Sequence, residues 1–474
     1  MTPVTTDAME EDHMTGERGQ AYRQWLAGRT VAVVGLARSG VAAARLIRRI
    51  GGRVLASDSG SRESLSREAR ELEQLGSTVW TGGHPEAAFS GVDLCVVSPG
   101  VPLELLALES VRARGVPLIG ELELGWRVME ADLIAITGTN GKTTTTTLIG
   151  ELVGGAVRPV FVGGNIGTPL SSQALDFPAD GLVVAEASSF QLETTERLRP
   201  RVAVVLNVTP DHLDRHKTFE RYVQAKARIF ANQTSSDCAV LNADDPVTAS
   251  LAPLTRARVL WFSRTRALDH GVFVREGWIL AKLNGHVEKI CPVDLIPLRG
   301  QHNVENVLAA TACGLWTGLA PESIQRGIVA FRGVVHRIER VLDHRGVTYY
   351  NDSKGTNVAS TIKALESFTE PVILIAGGKG KGQDFAPLAE AARGHVRQAI
   401  LIGEDRAKIR AALEPAGVPS QEAGSMREAV VAARDGARVG DVVLLSPACA
   451  SFDMFDNYEH RGDVFKDLVR DLAR

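Results

Sequence analysis

The sequence predicts an α/β protein of three domains built on mostly parallel sheets, and three observations predict it. The length, 474 residues, corresponds to three compact units at about 150 residues per domain. One local design recurs along the chain: a short apolar run stops at Gly, Asn, Ser or Asp and gives way to a helical stretch. VAVVGLARSG, LIAITGTNGKTT, VFVGGNIG, GLVVAEASSF, VAVVLNVTPDH and VILIAGGKGKGQD all show it. The runs are continuously apolar rather than alternating, as expected of strands covered on both faces of a parallel sheet. Ligands gather beyond the carboxyl ends of such strands, so the polar residues closing each run are the candidate functional positions.

The N-terminus, MTPVTTDAMEEDHMTGERGQ, lacks the apolar core of a signal peptide and reads as a frayed tail over 1–25. VAVV and GLARSG open a first αβ unit, which continues through strands VLASD (54–58) and LCVVSPG (94–100). GELELGWRVMEADL (120–133) leads into a second unit, and PLRGQHNVENVLAA (297–310), where a Pro-Gly loop gives way to a helix, opens a third. The expected domains are 1–127, 128–298 and 299–474. No apolar run reaches the roughly 18 residues of a membrane span. Lys+Arg 53 against Asp+Glu 56, a net charge of -3, supplies no global basic field for nucleic acid or an anionic membrane. Neither partner is expected, and the location is expected to be cytoplasmic. The cysteines, Cys95, Cys238, Cys291, Cys313 and Cys449, are odd in number, scattered and without a C-x-x-C, which argues against a disulfide framework or structural zinc.

The sharpest motif is ITGTNGKTTTTTL. Gly138, Gly141, Lys142 and Thr143 reproduce the end of a Walker-type loop, but Ile136 breaks the full G-x-x-x-x-G-K-[ST] spacing. The shortened G-x-x-G-K-T still meets the physical demands. Backbone N–H groups can curl round an anion, Lys142 can bridge terminal phosphates, and the Thr143 hydroxyl can ligate Mg²⁺. A run of threonines opposes helix propensity there, which implies another requirement, such as hydroxyls facing a ligand. GLARSG is weaker, since Ala37 stands at the middle glycine of G-x-G-x-x-G, so a nicotinamide site is not supported.

Glu186 ends one strand, and Asp211 and His212 follow the next, so adjacent strand tips are expected to bring Glu186 and His212 to the 138–143 loop. Glu186 is a natural Mg²⁺ ligand and His212 a less usual one. Lys226, in YVQAKARIF, reads by itself as an exposed helical lysine. Asn303 and Asn306 share a helix face and suit either interhelical hydrogen bonds or a purine edge. HRIE and YYNDSKGTNVAS supply His336, Arg337, Asp352, Ser353, Lys354, Thr356 and Asn357. GGKGKGQDF adds Lys379 and Lys381, and SPACASFDMFDNYEHRG adds Ser446, Ser451 and Asp453. Runs this dense in Gly, Ser, Asn and Lys suit a site for acidic small molecules.

Taken in order, TGTNGKTT, GGNIG, EASSFQLE, NVTPDHLDRH, AKARIF, GQHNVENVLAA, HRIE, NDSKGTN, GGKGKG and SPACASFD resemble the Mur ligases from about residue 29 to the C-terminus. Within that family the resemblance is to the ligases that add D-glutamate. It implies a Rossmann-like first domain, a central P-loop-type ATPase domain with a mostly parallel sheet, and a Rossmann-like α/β C-terminal domain. It also implies ATP-dependent amide ligation of D-glutamate to UDP-N-acetylmuramoyl-L-alanine, with these small molecules as partners and a monomeric chain.

By resemblance, Arg38, Ser39, Asp58, Ser59, Ser98, Pro99 and Gly100 hold the UDP-sugar, Asn165 contacts the muramoyl-alanyl part, and Ser188 binds substrate. Gly138, Thr139, Asn140, Gly141, Lys142, Thr143 and Thr144 bind ATP phosphates. Asn303, Asn306, His336, Arg337 and Asp352 fall at adenosine-contacting positions. Thr143, Glu186 and His212 carry two Mg²⁺ sites, which Mn²⁺ can substitute, together with Lys226 if CO₂ carbamylates it. Thr356, Lys381 and Ser451 fall at the D-glutamate site, supported by Lys354 and the backbone near Tyr458. The catalytic set so implied is Lys142, His212, Lys226 and Lys354. Ala37 replaces a family glycine, and Tyr458 stands where some family members carry Phe. Other amino-acid ligases, of the Mur or folylpolyglutamate type, and a nucleotide-binding protein that makes no bond are the alternatives; the last domain lacks the D-N-P-R of diamino-acid-adding ligases.

Overall fold

Strands β1 (Thr30–Val34), β2 (Arg53–Ser57), β3 (Thr78–Trp80), β4 (Leu94–Val97) and β5 (Leu118–Gly120) form a wholly parallel sheet in the order β3-β2-β1-β4-β5. The structure is a computed structural model that describes residues 18–154, 158–380 and 382–472. The strand order reverses beside β1, so the crevice of this sheet opens between the ends of β1 and β4. Helix Arg38–Ile50 follows β1 and ends at Gly51, whose left-handed backbone returns N–H bonds to Ile47 and Arg48. Gly40 lets this helix press on the β1 turn, since a Cβ there would lie 1.8 Å from the Gly35 carbonyl oxygen.

A second sheet has nine strands in the order β14-β13-β12-β11-β10-β9-β6-β8-β7. Its members are β6 (Asp132–Thr137), β7 (Val160–Gly164), β8 (Leu182–Glu186), β9 (Val202–Val205), β10 (Cys238–Asn242), β11 (Arg258–Ser263), β12 (Gly271–Arg275), β13 (Trp278–Leu283) and β14 (His286–Pro292). Strands from β7 across to β12 are parallel, and β12 to β14 form an antiparallel ribbon at the edge. The order reverses at β6, between β8 and β9, which puts the Gly138–Thr143 loop at the switch point.

The third sheet comprises β15 (Glu339–His344), β16 (Val347–Asn351), β17 (Val372–Gly377), β18 (Val396–Ile402), β19 (Ser420–Glu422) and β20 (Val442–Leu445), in the order β15-β16-β20-β17-β18-β19. Only β15 is antiparallel. Because β20 inserts between β16 and β17, the segments after these strands, NDSKGTN, GGKGKG and SPACASFD, emerge side by side.

The chain divides into two compact units. The first takes residues up to Val293 and Glu305–Ile328, and so holds the first two sheets; the second takes Asp294–Val304 and Val329–Arg474. Residues 1–17 of the expected tail lie outside the described residues, whereas Arg18–Leu26 form a helix with Tyr22 and Leu26 buried. No described helix is long and apolar enough to cross a membrane.

Candidate active site

In the first unit the phosphate loop follows β6 and leads into helix Lys142–Gly154. Gly141 (φ +84°) approaches Asn306 so closely that a Cβ would lie 2.2 Å from its Oδ1. Thr145 Oγ1 also meets Asn306 Oδ1, at 3.2 Å. Lys142 Nζ donates to the carbonyls of Gly138 and Thr139 at 2.9 and 2.8 Å, curling over the loop. Thr143 to Thr146 are buried in the first turns of the helix, so most of the threonine run serves packing rather than a ligand.

Glu186, at the end of β8, is buried and accepts from Thr143 Oγ1 at 2.8 Å and from Asn165 Nδ2 at 2.7 Å. A hydroxyl and a carboxylate in contact beside an anion-binding loop are the oxygen donors Mg²⁺ takes, so this pair fits the ion. Lys226 is not the exposed helical lysine of the unaided sequence. It is 1% exposed, and its Nζ donates to Gly138 O at 2.7 Å and approaches Thr137 Oγ1 at 3.4 Å. Burial, and then the neighbouring Lys142 charge, hold its pKa well below the ordinary lysine value. Helix Phe219–Ala227 carries both Lys226 and Tyr222, whose ring lies 4.6 Å from the Lys226 ammonium and whose hydroxyl bonds Thr139 Oγ1 at 3.1 Å. His212 is exposed, at a left-handed backbone position (φ +51°), with its ring 4.9 Å from Phe190. Among the described residues no group of three or more His, Cys, Asp or Glu is arranged to hold a metal.

A cleft of about 700 Å³ lies between the first sheet and the segment after β7, lined by Leu36, Arg38, Asp58, Leu65 and Thr168 among others. Arg38 Nη1 reaches across it to Gly167 O at 3.1 Å. Asp58 shapes the cleft from within, since its carboxylate accepts from Leu36 N at 2.6 Å and Gly60 N at 2.7 Å. Ser98 is buried, donating to Gly35 O at 2.7 Å, whereas Ser59 and Gly100 are exposed and Ser39 and Pro99 half-buried. Ser188 caps helix Ser189–Leu192 in a reciprocal capping box with Gln191.

In the second unit, Lys379 and Ala450 exchange two backbone hydrogen bonds, at 2.9 and 3.0 Å, joining the GGKGKG and SPACASFD segments. Asp352 is buried and accepts from Ser446 Oγ at 2.7 Å and Ile338 N at 3.2 Å; burial raises its pKa to about 6. His336 is buried with Nδ1 3.0 Å from Asn351 Nδ2, and Arg337 is exposed. Asn303 Nδ2 donates to Arg299 O at 2.6 Å. Lys354, Thr356 and Tyr458 are half-buried and Ser451 buried, while Lys381 lies outside the described residues.

The sequence reading missed Arg461. This fully buried guanidinium donates to Ser353 Oγ at 3.0 Å, Ser353 O at 2.8 Å and Cys449 O at 3.1 Å, tying two of the loops together. Its signal was an arginine at the head of an apolar stripe, with Phe465 and Val469 following at four-residue spacing on one helix face.

Comparison with known proteins matches most of the chain to family descriptions. Residues 29–120 match "Mur ligase MurD-like, N-terminal domain", 136–314 "Mur ligase middle domain", and 336–449 "Mur ligase, glutamate ligase domain". The chain is 47% identical over 445 residues to the UDP-N-acetylmuramoylalanine--D-glutamate ligase of Pelotomaculum thermopropionicum, covering 94% of this chain and 98% of that protein. It is 50% identical over 446 residues to the ligase of the same name from Acidobacterium capsulatum, covering 94% and 96%. Among solved structures, UDP-N-acetylmuramate-alanine ligase from Thermotoga maritima shares the fold, with a TM-score of 0.59 at 19% identity, covering 94% of this chain and 100% of that one.

Proposed function

The chain belongs to the Mur ligase family, and on that footing we propose that it is the ATP-dependent ligase that joins D-glutamate to UDP-N-acetylmuramoyl-L-alanine. It would act as a cytoplasmic monomer in peptidoglycan precursor synthesis. The observation that carries the reading is the cluster at the tips of β6 and β8. There Lys142, Thr143, Glu186 and Lys226 converge on a glycine-rich loop at the head of a helix.

The chemistry follows from what an acid and an amine cannot do unaided. A carboxylate repels the amine, and oxide does not leave. Transfer of the ATP γ-phosphoryl group to the alanyl carboxylate makes an acyl phosphate, whose carbonyl carbon is electrophilic and whose phosphate leaves readily. Charge spreads over the equatorial phosphoryl oxygens during that transfer, and Lys142 with the loop N–H groups would neutralise it. Thr143 and Glu186 would hold Mg²⁺, which supplies further neutralisation of the phosphates, and His212 and a carbamylated Lys226 would serve the second ion. The D-glutamate amine then attacks, a tetrahedral oxyanion forms, and phosphate departs as the amide closes.

In this proposal the cleft between the first sheet and the Gly167 segment holds the UDP moiety through Arg38, Ser39 and the Ser98–Gly100 turn, and Asn165 meets the alanyl end. Asn303, Asn306, His336, Arg337 and Asp352 serve adenosine. Thr356, Lys381 and Ser451 hold D-glutamate, with Lys354 and the Tyr458 backbone in support. Incubation with UDP-N-acetylmuramoyl-L-alanine, ATP, Mg²⁺ and either glutamate enantiomer, followed by mass spectrometry and ADP assay, tests it. Amide product with the D enantiomer is expected, whereas turnover of L-glutamate or of a folate acceptor in its place overturns the assignment.

A further inference from the structure

The first unit contains a polar chain, buried at Ser189 and His216 and half-buried at Glu193 and Arg215, that the proposed chemistry leaves unused. Ser189 Oγ lies 3.0 Å from His216 Nε2, His216 Nδ1 lies 3.2 Å from Glu193 Oε1, and Glu193 Oε2 accepts from Arg215 Nη2 at 3.1 Å. Arg215 Nη1 continues the chain to the Val101 carbonyl oxygen at 3.1 Å. His216 thus stands between a hydroxyl at Nε2 and a carboxylate at Nδ1. This is the order of groups in a hydrolytic triad, yet Ser189 and His216 are each 3% exposed. No substrate carbonyl reaches the hydroxyl, so the chain is a joint rather than a nucleophile.

What it joins is informative. Val101 follows the Ser98–Gly100 turn after β4, Ser189 opens the helix beyond Glu186, and Arg215 and His216 belong to the four-residue helix Leu213–His216 that begins at His212. That short helix is bounded by non-glycine residues with positive φ, His212 at +51° and Lys217 at +68°. Such backbone persists where its surroundings over-determine it. Here the anchors are the two inward side chains and the Phe190 ring, 4.8 Å from the Arg215 guanidinium and 5.4 Å from the His216 ring.

We propose that Arg215, Glu193 and His216 are positioning residues that hold the turn receiving the nucleotide-sugar acid in register with the His212 and Glu186 segments. The inference rests on the proposed ligase reading. It makes acceptor binding, and not ATP binding, the property these residues govern.

The test uses the full chain and reads the KM of UDP-N-acetylmuramoyl-L-alanine and of ATP separately, with calorimetric binding of the acceptor in the absence of ATP. Arg215→Lys keeps the charge but loses the fork that serves Glu193 and Val101 together. It is expected to weaken acceptor KM and binding about tenfold while ATP KM stays within about twofold. Glu193→Gln is expected to act in the same direction, and the double variant to cost no more than Arg215→Lys alone, because the groups act as one unit. Unchanged acceptor binding, acceptor and ATP constants that move in step, or losses that add in the double variant overturn the inference. If Arg215→Lys fails to fold, as shown by lost ATP binding, Glu193→Gln carries the same comparison. A wild-type chain that makes no amide overturns the ligase reading instead, while calorimetry still reads the joint.

Discussion

The Lys226 amine, sealed under the phosphate loop, is held neutral more readily than an ordinary lysine, and a neutral amine is the form that reacts with CO₂. In a carbamate its lone pair would form the N–C bond, a proton would leave to solvent, and the neutral amine would become an oxygen-donating anion. Lys226→Ala is expected to lower ADP release by about a thousandfold or more and to regain part of it with added short carboxylic acids; unchanged release in the variant would remove the residue from the chemistry. Glu121 is a second buried group, 1% exposed, with Oε1 accepting from Ser171 N at 2.7 Å and Oε2 without a hydrogen-bond partner among the described residues. Burial raises its pKa to about 7. The folded state therefore binds a proton that the unfolded state releases, and this contribution to stability is full below the unfolded value and lost as pH rises through 7. Glu121→Gln should remove up to about 3 kcal/mol of that pH dependence, read as the difference between wild-type and variant denaturation across pH 4.5 to 8; parallel curves would contradict it. Neither property was legible beforehand. A lysine in YVQAKARIF carries no local sign of burial, and the resemblance alone singled it out. Ser188, a substrate-binding residue by resemblance, caps helix Ser189–Leu192 in the structure.

At the scale of elements, the β-branched runs were read well because their cause is simple: strands covered on both faces must be apolar throughout. The ribbon β12–β14 falls outside that pattern, since it is antiparallel and carries exposed Glu288 and Lys289. Its own sign was present in Asn284–Gly285, both with positive φ, the pair a tight two-residue hairpin favours. The short strands β3 and β5, three residues each, are below what periodicity resolves. The first αβ unit depends on a close approach of helix to turn at Gly40 rather than on a full glycine fingerprint. Gly40→Ala places a methyl group against the Gly35 carbonyl and should push helix Arg38–Ile50 away from the cleft, costing about 2 kcal/mol of stability. Acceptor binding by calorimetry should fall while ATP binding persists, and a variant with normal acceptor affinity would separate the helix from the site.

Over the whole molecule, the sheets of five, nine and six strands follow the three-domain organisation read from length and recurrence. Where one compact region gives way to the next was harder to read. Helix Gln301–Trp316 begins in the second unit, yet Glu305–Ile328 joins the first. Its buried face, including Val307, Leu308 and Ala309, follows tertiary contacts that a linear reading of the Pro-Gly loop does not contain. The candidate centre was legible at the switch point of the central sheet, because parallel topology concentrates chemistry there. The least legible parts were two side-chain joints, Arg461 within the second unit and the Glu193–His216 pair within the first, whose partners come from distant segments. All of it serves one claim, that ATP activates the alanyl carboxylate before the amine arrives. The direct measurement places ¹⁸O in that carboxylate and follows it into the liberated orthophosphate by mass spectrometry. One labelled oxygen per amide formed is the predicted result, and unlabelled orthophosphate accompanying labelled amide and normal turnover would contradict the account.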